Sequence, residues 1–359
     1  MNRRRFMIGG GTAVLGTLIA HSACAGADYA NYAAMLRRPL QRDGGMHELV
    51  RYATLAPNGH NTQSWLFAED GNRIVIRPDL SRRTPVVDPD DHHVFVSLGA
   101  ALENLSLASF AAGRPGEAEV ADDGTAIWTW TNGAGRDDPL LAAIPIRQST
   151  RTVYDSSSVD AQVLAALETQ ARGDGVRLVL ITDRPRINAV RDLVIAGNGR
   201  QMDDPAFMTE LRHWIRFNAA SAMTHGDGLY SAATGSPDLP DFLGPAAFRL
   251  FVRTRGENAK YAAQIDSSAG LAVLFGERAD PRHWVKVGRA AQRFLLEATR
   301  QKLCSAFVNQ PVEVEALRPQ LAALAGEAGL RPDLVIRFGH GTPMPFSPRR
   351  PVSAVLART

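Results

Sequence analysis

Two stretches of this chain repeat the same order of predicted elements, and this repetition limits the possible folds more than any other feature. In the first stretch, apolar residues spaced as on one helical face at 49–53 precede two strands, 65–67 and 74–76. Asp70-Gly71 between the strands predicts a hairpin. A buried helix follows over 96–107. The first stretch therefore predicts a helix, an antiparallel pair of strands and a second helix.

The second stretch repeats this order further along the chain. Ser157 or Ser158 is a candidate N-cap for a helix that ends near Gly173. Residues 176–181 form a near-continuous apolar run, which predicts a strand covered on both faces of its sheet. Residues 284–296 then have the composition of a second buried helix.

The two buried helices also match in sequence. Aligning Gly99 with Gly288 pairs Ala101 with Ala290 and Leu107 with Leu296. Three identities are weak evidence alone, but together with the repeated order of elements they favour a duplication over coincidence. We therefore divide the body of the chain into a first unit, 46–138, and a second unit, 139–359, preceded by a polar N-terminal arm, 28–45.

A long insertion, about 197–265, interrupts the second unit. It contains apolar residues at helical spacing over 211–217, followed by a stretch rich in Gly, Pro and Asp over 226–244. Segments of this length are commonly lids or functional loops. The composition is equally compatible with a surface excursion, and we expect a helical lid.

The charge distribution excludes several classes of partner. The net charge of +3 comes from Arg3, Arg4 and Arg5, because residues 1–27 contain no Asp or Glu and the remainder is balanced. A neutral body argues against nucleic acid or anionic lipid as the main partner. We expect small-molecule partners, no stable membrane insertion, and a monomer rather than a homodimer.

The first 27 residues have the order of an export signal. Arg3 to Phe6 contain the Arg-Arg-x-Phe core of a twin-arginine signal, and a short apolar run and small residues follow. The apolar run is too short to cross a bilayer as a helix. The expected location is therefore the periplasm, and lipoprotein anchoring at Cys24 is the alternative. Cys304 is the other cysteine, so the mature chain has no intramolecular disulfide if the signal is removed beyond Cys24.

Three clusters of polar residues are candidates for binding. Residues 57–65 contain Asn61 and Gln63, whose amides can each donate to and accept from a planar heterocycle. An ordinary helix-to-strand turn is the alternative interpretation. Arg147 and Arg151 bracket Ser149, and two guanidinium groups with a hydroxyl suit a phosphate. A solvated charged turn would have the same sequence.

The third cluster closes the chain. Arg337-x-Gly339 follows a predicted strand, 334–338, and a proline-rich segment then leads to Arg349-Arg350. The stiffness of this segment favours a defined binding position for the arginine pair, and a packed terminal extension is the alternative. A fourth polar stretch, 88–93, could bind a metal, but we interpret it as a helix-entry loop capped by Asp, because adjacent histidines point apart.

Taken together, these clusters resemble the nitroreductase-like flavoprotein superfamily and, within it, the exported Acg-like branch. The resemblance runs over nearly all of the mature chain. It implies an α+β, nitroreductase-like fold in which two tandem units form an internal pseudo-dimer with an inserted helical lid. Ser64 departs from the proline usual before the tryptophan of this motif. The first unit lacks its own Arg-x-Ser-x-Arg triplet near its start, and the nearest basic pair, Arg37-Arg38, has no hydroxyl residue between its arginines. One FMN per chain is therefore expected rather than two.

The same resemblance implies the roles of individual residues. Arg147, Ser149 and Arg151 would hold the phosphate and ribityl end of FMN, with Arg350, or its neighbour Arg349, closing on the phosphate. Asn61 and Gln63 would face the ring or ribityl chain across the internal interface. The flavin performs the redox chemistry in such proteins, so no catalytic side chains are assigned and no metal is expected.

Two functions follow from this resemblance. The first is an FMN-dependent oxidoreductase that passes hydride or electrons to a small acceptor such as a nitroaromatic or quinone. The second is an FMN-sequestering or redox-sensing protein in which the lid seals the flavin and turnover is slight. An exported protein meets no soluble NAD(P)H pool, so the sequence does not identify the electron donor.

Overall fold

The computed structural model describes residues 26–357, so nearly all of the predicted export signal, and Cys24, lie outside the described residues. Within that range, helices combine with two four-stranded antiparallel sheets and a small parallel pair of strands. This mixture confirms the predicted α+β class.

The described chain contains both helices and strands throughout its length. The helices are α1 (26–36), α2 (Gly45–Ala53), α3 (His92–Ala111), α4 (Ala161–Gln170), α5 (Arg184–Asp203), α6 (Pro205–Trp214), α7 (Ala219–His225), α8 (Gly244–Phe251), α9 (Thr254–Asp266), α10 (Pro281–Arg300), α11 (Gln310–Glu313) and α12 (Arg318–Leu324). The strands are β1 (Trp65–Asp70), β2 (Arg73–Pro78), β3 (Gly116–Val120), β4 (Ala126–Trp130), β5 (Val176–Ile181), β6 (Ile215–Arg216), β7 (Leu229–Tyr230), β8 (Gly270–Gly276), β9 (Cys304–Phe307) and β10 (Pro332–Gly339).

The first sheet has the strand order β1-β2-β4-β3. Its predicted hairpin is confirmed: β1 and β2 pair antiparallel up to Asp70 opposite Arg73, and Gly71 in the turn has a φ of 59°. Helix α3 packs on this sheet. It is long and apolar enough to cross a membrane, but 89% of its apolar stretch is buried within the protein, so it is a core helix.

The second sheet has the order β5-β8-β10-β9. The central strands β8 and β10 are buried along their whole length. The predicted strand at 176–181 exists as β5, but it lies at the edge of the sheet and is only partly buried. Leu178 and Leu180 pack against one core cluster, and Val179 and Ile181 pack against the other, so both faces of β5 are covered, as predicted.

The two buried helices cross at the glycines that align in the sequence. A Cβ atom added to Gly99 would lie 2.0 Å from the carbonyl oxygen of Val285, and one added to Gly288 would lie 2.0 Å from that of Val96. Only glycine allows this close approach of the backbones. The contact is reciprocal, as the predicted internal duplication requires, and that duplication stays a prediction.

Two local predictions require correction. Helix α4 starts after Asp160, whereas Ser157 and Ser158 lie outside it. The Ser157 hydroxyl instead donates to the carboxylate of Asp155 at 2.6 Å, so it is engaged in a turn before the helix. The predicted arm, 28–45, begins with helix α1, which buries Tyr29 against Tyr230.

The insertion is built from several short elements. Helix α5 runs unbroken to Asp203, so the predicted start of the insertion at 197 lies inside a helix. Helix α6 begins with proline and is capped by Asp204, whose carboxylate accepts from the backbone N–H of Ala206. It ends at Trp214, because Ile215-Arg216 pair with Leu229-Tyr230 as strands.

The C-terminal segment returns to the first unit. The backbone N–H of Phe67 in β1 donates to the carbonyl of Val355 at 2.8 Å. Helix α1 also contacts this segment, since Tyr29 Oη donates to the carbonyl of Phe346 and Tyr32 Oη donates to that of Arg349. The closing residues are therefore held against the predicted binding loop at 57–65.

Candidate functional site

The loop between α2 and β1 has an unusual backbone. His60, Asn61 and Gln63 have φ values of 47°, 54° and 54°. Such left-handed conformations are uncommon outside glycine, and they concentrate at functional sites where surrounding contacts enforce them. The strain is a signal of function that the residue types alone did not reveal.

Hydrogen bonds to distant backbone hold this loop. Asn61 Nδ2 donates to the carbonyls of Gly228 at 3.0 Å and Pro348 at 3.1 Å. Gln63 Nε2 donates to the carbonyl of Gly226 at 2.8 Å, and its Oε1 accepts from the N–H of Arg350 at 2.9 Å. The two amides thus connect the loop to the insertion and to the C-terminal segment.

A cavity of about 510 Å³ lies between the first unit, α10 and the insertion. Residues 57–60 form part of its wall, and the insertion supplies an apolar wall that includes Phe207, Phe248 and Phe251. Asn61 and Gln63 do not line it, contrary to the expectation that they face the ligand, because their amides are engaged with backbone. Asn58 is the amide of this loop that faces the cavity.

Arg147 is buried, and much of its hydrogen-bonding capacity is unused. It is 3% exposed, and its Nε and Nη1 have no partner among the described residues. Its Nη2 makes one long contact, 3.4 Å, with the carbonyl of Leu55. The pKa of Arg147 is lowered to about 9, first by burial and then by the positive charges of Arg349 and Arg151. The site is therefore electropositive and open to an anion.

Arg349 lies in the same cluster and is held at the end of α2. Its guanidinium donates to the carbonyls of Thr54, Leu55 and Ala56, and its Nη1 donates to Asn61 Oδ1 at 2.9 Å. Thr54 is the C-cap of α2 and Leu55 and Ala56 follow it, so the guanidinium lies at the C-terminal end of a helix, which favours a cation. Burial lowers the pKa of Arg349 to about 10.

Arg37 adds a third guanidinium to the cluster. Burial lowers the pKa of Arg37 well below its usual range, and the positive charges of Arg349 and Arg147 lower it further. Its Nη1 donates to the carbonyl of Pro145 at 3.2 Å, and its guanidinium lies 3.9 Å from the ring centroid of Phe346. The sequence interpretation gave this residue no role, because the pair Arg37-Arg38 lacked the hydroxyl expected of a phosphate motif.

The structure separates the two closing arginines. Arg349 joins Arg147, whereas the side chain of Arg350 lies near Asp79 and Asp227 and donates to the carbonyl of Ala354 at 2.5 Å. The expectation that Arg350 is the principal closing arginine is corrected in favour of Arg349. Successive residues in an extended segment point to opposite sides, so only one of the two can enter the cluster.

Arg151 links the arginine cluster to the cavity. It lines the cavity, and burial lowers its pKa. The neighbouring backbone is fixed by Arg337, whose Nη2 donates to the carbonyls of Thr150 at 3.0 Å and Thr152 at 2.7 Å. Arg337 is fully buried and its guanidinium lies 3.9 Å from the ring centroid of Tyr154. It is a positioning residue for Arg151.

Ser149 forms a single bridge to β9. It pairs with Ser305, and the next residue, Thr150, donates its N–H to the carbonyl of Ser305 at 2.8 Å. Ser149 is partly buried and lies in the same short segment as Arg147 and Arg151. The structure therefore brings Arg147, Ser149, Arg151 and Arg349 into one region.

The cavity also has a wall of titratable groups. Burial, followed by the charges of His93 and Arg151, lowers the pKa of His60 to about 4. Burial alone would lower the pKa of His93, but the carboxylate of Asp88 raises it overall. Burial raises the pKa of Glu313. His60 is therefore neutral near pH 7 and contributes no positive charge to the cavity.

The stretch 88–93 is the predicted helix-entry loop. Asp88 accepts from the backbone N–H groups of His93 and Val94, so an Asp does cap α3. The expectation that the adjacent histidines point apart was wrong, since the ring centroids of His92 and His93 are 4.5 Å apart. Ligand atoms of Asp88, His92 and His93 lie within 4.8 Å of one another, so this cluster could bind a metal.

The insertion is fixed to the first unit by charged groups. Asp227 forms ion pairs with Arg82 of the first unit and with Arg216 of β6. Glu210 of α6 accepts from the backbone N–H groups of Val86 and Val87, both at 3.0 Å. These contacts attach the insertion, which forms one wall of the cavity, to the first unit.

Comparisons with known proteins find relatives over most of the chain. No family model matches the chain. Over 325 residues, covering 86% of this chain and 90% of the relative, it is 26% identical to the Mycobacterium tuberculosis protein named "Putative NAD(P)H nitroreductase Rv3131". The chain is similar to mycobacterial nitroreductase-type proteins. A second relative of this organism, "Putative NAD(P)H nitroreductase acg", is 24% identical over 330 residues, 85% of this chain and 93% of the relative. The resemblance inferred from the motifs is confirmed.

Solved structures overlap with about half of the chain. A nitroreductase with bound FMN from Bacteroides fragilis covers 57% of this chain and 90% of its own, with 13% identity and a TM-score of 0.36. The FMN-dependent nitroreductase NfnB of Mycobacterium smegmatis, in complex with NADPH, covers 56% and 87%, with 13% identity and a TM-score of 0.37. Overlap this weak carries no inference about the ligands of this chain.

Proposed function

We propose that this chain is an FMN-dependent oxidoreductase of the nitroreductase type. The observation that carries the proposal is the buried cluster of Arg147, Arg349 and Arg37, which is connected through Arg151 to a cavity large enough for a ligand. Cavities of about 300–1,000 Å³ commonly hold small molecules and cofactors. The mycobacterial relatives support the same class of function through their names.

The residues present fit the phosphate end of FMN. Charged side chains are rarely buried without a counter-charge, because the loss of hydration is not offset. Arg147 retains two unpartnered guanidinium nitrogens. A phosphate monoester carries between one and two negative charges near pH 7 and accepts several hydrogen bonds, so it would both neutralise the cluster and use these nitrogens.

We assign the cofactor contacts as follows. Arg147 would hold the phosphate, and Arg349 would contribute its positive charge only, because its N–H groups already donate to carbonyls and to Asn61. The hydroxyl of Ser149 and the guanidinium of Arg151 would continue from the phosphate toward the cavity. Arg337 would keep Arg151 in place through the carbonyls of residues 150 and 152. Asn61 would act indirectly, because its Oδ1 accepts from Arg349.

FMN would supply reversible two-electron and one-electron redox chemistry to this cavity. The protein's own contribution is binding and exclusion of water: the insertion covers the cavity, and its aromatic residues provide an apolar wall. Arg151 and Lys260 line the cavity together with the carboxyl groups of Glu257 and Glu313. An apolar, electron-poor acceptor such as a nitroaromatic or a quinone suits these walls.

Sequestration of the flavin is a second candidate function. The ion pairs of Asp227 with Arg82 and Arg216 fix the insertion over the cavity, and both arginines are largely buried. A covering held by buried ion pairs opens less readily than one held by exposed side chains, because separating the charges leaves them uncompensated. This observation favours a protein that retains flavin with little turnover.

We also propose that one FMN binds per chain, within an internal pseudo-dimer of the two units, and that the protein is exported. The reciprocal crossing of α3 and α10 at Gly99 and Gly288 supports the pseudo-dimer. The twin-arginine pattern at residues 3–6 supports export of an already folded protein.

A flavin titration tests the proposal. The chain from residue 28 onward is purified, its bound flavin is quantified by absorbance, and the apoprotein is titrated with FMN. Arg147→Ala should weaken FMN binding about 10- to 150-fold, the effect of losing charge-assisted hydrogen bonds worth about 1.5–3 kcal/mol. Arg172→Ala, at an exposed position, is the matched control and should bind FMN as the wild type does. Equal affinity in wild type and Arg147→Ala would exclude the assigned phosphate position.

A second measurement separates the two functions. NADPH and a nitroaromatic are added to the FMN-bound protein without oxygen, and the flavin absorbance is followed. Bleaching by NADPH followed by return of the absorbance with the nitroaromatic identifies an oxidoreductase. A bound flavin that responds to neither reagent identifies sequestration.

A further inference from the structure

We propose that residues 242–256, on the outer side of the insertion, are a docking surface for an anionic lipid bilayer. This segment comprises α8, the two residues before it and the start of α9. The surface would bind peripherally, at the level of the lipid headgroups.

The composition of the segment is that of an interfacial helix. It contains three arginines, three phenylalanines and two leucines, and the acidic residues Asp241 and Glu257 directly flank it. Helices that lie in the plane of a membrane combine apolar side chains, which enter the headgroup region, with basic residues that face anionic lipid. The charge balance of the whole chain conceals this local concentration.

The apolar side chains of the segment are exposed to an unusual degree. Phe242 is 82% exposed and Phe251 is 75% exposed, and Leu250 and Leu243 are exposed as well. Phe242 and Leu243 lie directly before α8, and Leu250 and Phe251 lie at its end. Large exposed apolar patches on soluble proteins mark sites of interaction.

The arginines of the segment identify a lipid surface as the occupant. Arg249, Arg253 and Arg255 are exposed and lie within seven residues of one another. The one hydrogen bond that Arg253 donates through Nε goes to the carbonyl of Leu250, so its positive charge is not neutralised by that contact. Three cations around an apolar tip are complementary to anionic headgroups over hydrocarbon.

The docking surface is continuous with the cavity. Ala247, Phe248, Phe251 and Val252 line the cavity, so α8 has one side toward the cavity and the other toward solvent. Phe251 lines the cavity and is also exposed to solvent, which places it at an opening of the cavity. Docking would bring this opening to the bilayer, from which a lipid-soluble substrate such as a quinone could enter; this last step rests on the proposed function, whereas docking does not.

Vesicle co-sedimentation tests the proposal. The chain from residue 28 onward is mixed with vesicles of phosphatidylcholine and phosphatidylglycerol at 7:3, and with vesicles of phosphatidylcholine alone, at 50 mM salt. We expect binding to the mixed vesicles, little binding to the neutral ones, and loss of binding at 500 mM salt. Because the assay measures partitioning, its result does not depend on whether flavin binds.

Two variants and their controls assign the surface. Arg249→Gln/Arg253→Gln/Arg255→Gln should reduce partitioning about 100-fold, and Phe242→Ser/Phe251→Ser about 10-fold or more. Replacing three exposed arginines elsewhere by glutamine (Arg136, Arg172, Arg278), or two exposed apolar residues elsewhere by serine (Met35, Val153), should leave partitioning unchanged. Circular dichroism checks that every variant is folded.

Three results would overturn the proposal. The first is a wild-type protein that does not bind the mixed vesicles or binds neutral ones equally well. The second is unchanged partitioning of the arginine variant. The third is a wild-type dimer that Phe242→Ser/Phe251→Ser converts to a monomer, because the surface would then bind a second copy of the chain.

Discussion

Replacing Arg147 by methionine should stabilise the flavin-free protein while it removes the affinity for phosphate. Burial and two neighbouring arginines lower the pKa of Arg147 from 12.5 to about 9. At about 1.4 kcal/mol for each pH unit, the charged form costs the fold up to about 5 kcal/mol. Since the guanidinium stays protonated below its lowered pKa, this cost is fully present at pH 7 and would decline only above pH 9.

The expected gain is smaller than the full cost. Methionine keeps much of the apolar volume of the arginine stem but loses the 3.4 Å contact of Nη2 with Leu55. Replacement of buried charges by apolar residues stabilises known proteins by about 1–4 kcal/mol, so we expect an increase of about 2–3 kcal/mol in the free energy of unfolding.

Urea unfolding of the apoprotein, with and without saturating FMN, measures both effects. Wild type should be stabilised by FMN, and Arg147→Met should be more stable without FMN but gain little from it. Arg172→Met, at an exposed position, should match wild type in both conditions. An Arg147→Met apoprotein that is less stable than wild type would refute the reasoning, because the native charge would then be compensated within the fold.

Three further perturbations test the fold, the loop and the insertion. Gly288→Ala places a Cβ 2.0 Å from the carbonyl oxygen of Val96 and should lower the free energy of unfolding in urea by at least about 3 kcal/mol. Gly199→Ala, whose Cβ would meet nothing within 4 Å, is the control and should be neutral or stabilising. Equal effects of the two substitutions would contradict the close crossing of the helices. His60→Asn keeps a residue that tolerates positive φ and removes an imidazole whose pKa is lowered from 6.5 to about 4. As the pH falls from 6.5 to 4, the free energy of unfolding of the wild type should therefore decrease by about 3 kcal/mol more than that of the variant. Parallel pH profiles of the two proteins would contradict this. Asp227→Asn breaks both ion pairs that hold the insertion and should speed its proteolysis at least about tenfold, and unchanged cleavage would show that other contacts hold it closed.

The sequence predicts the central elements because their patterns are strong. Helices α3 and α10 have apolar residues over most of their length, and the strands of the first hairpin flank an Asp-Gly turn. The same patterns do not predict the insertion, where short elements are fixed by contacts distant in sequence. Asp227, for example, meets Arg82 only in the folded chain.

The candidate site is predicted in composition but not in geometry. The residues at 147–151 are brought near a closing arginine, as the motif suggests, but sequence cannot tell which of Arg349 and Arg350 points inward, since that depends on the register of an extended segment. Similarly, the left-handed backbone at His60, Asn61 and Gln63 turns two amides onto backbone carbonyls, and no residue type there requires this conformation.

Arg37 was missed for a related reason. It lies in the N-terminal arm, more than a hundred residues from Arg147, and its neighbours do not form a phosphate motif. Only the packing of α1 and the C-terminal segment brings it to the cluster. Its burial beside two other arginines can be recognised only in the folded structure.

The affinities of FMN and riboflavin for the wild-type apoprotein test the central claim most directly, because the two ligands differ only in the phosphate. If the buried arginines bind that phosphate, FMN should bind about 100-fold more tightly, as expected from two charge-assisted hydrogen bonds of about 1.5 kcal/mol each, and the difference should shrink in Arg147→Ala. Equal affinities for FMN and riboflavin in the wild type would contradict the account.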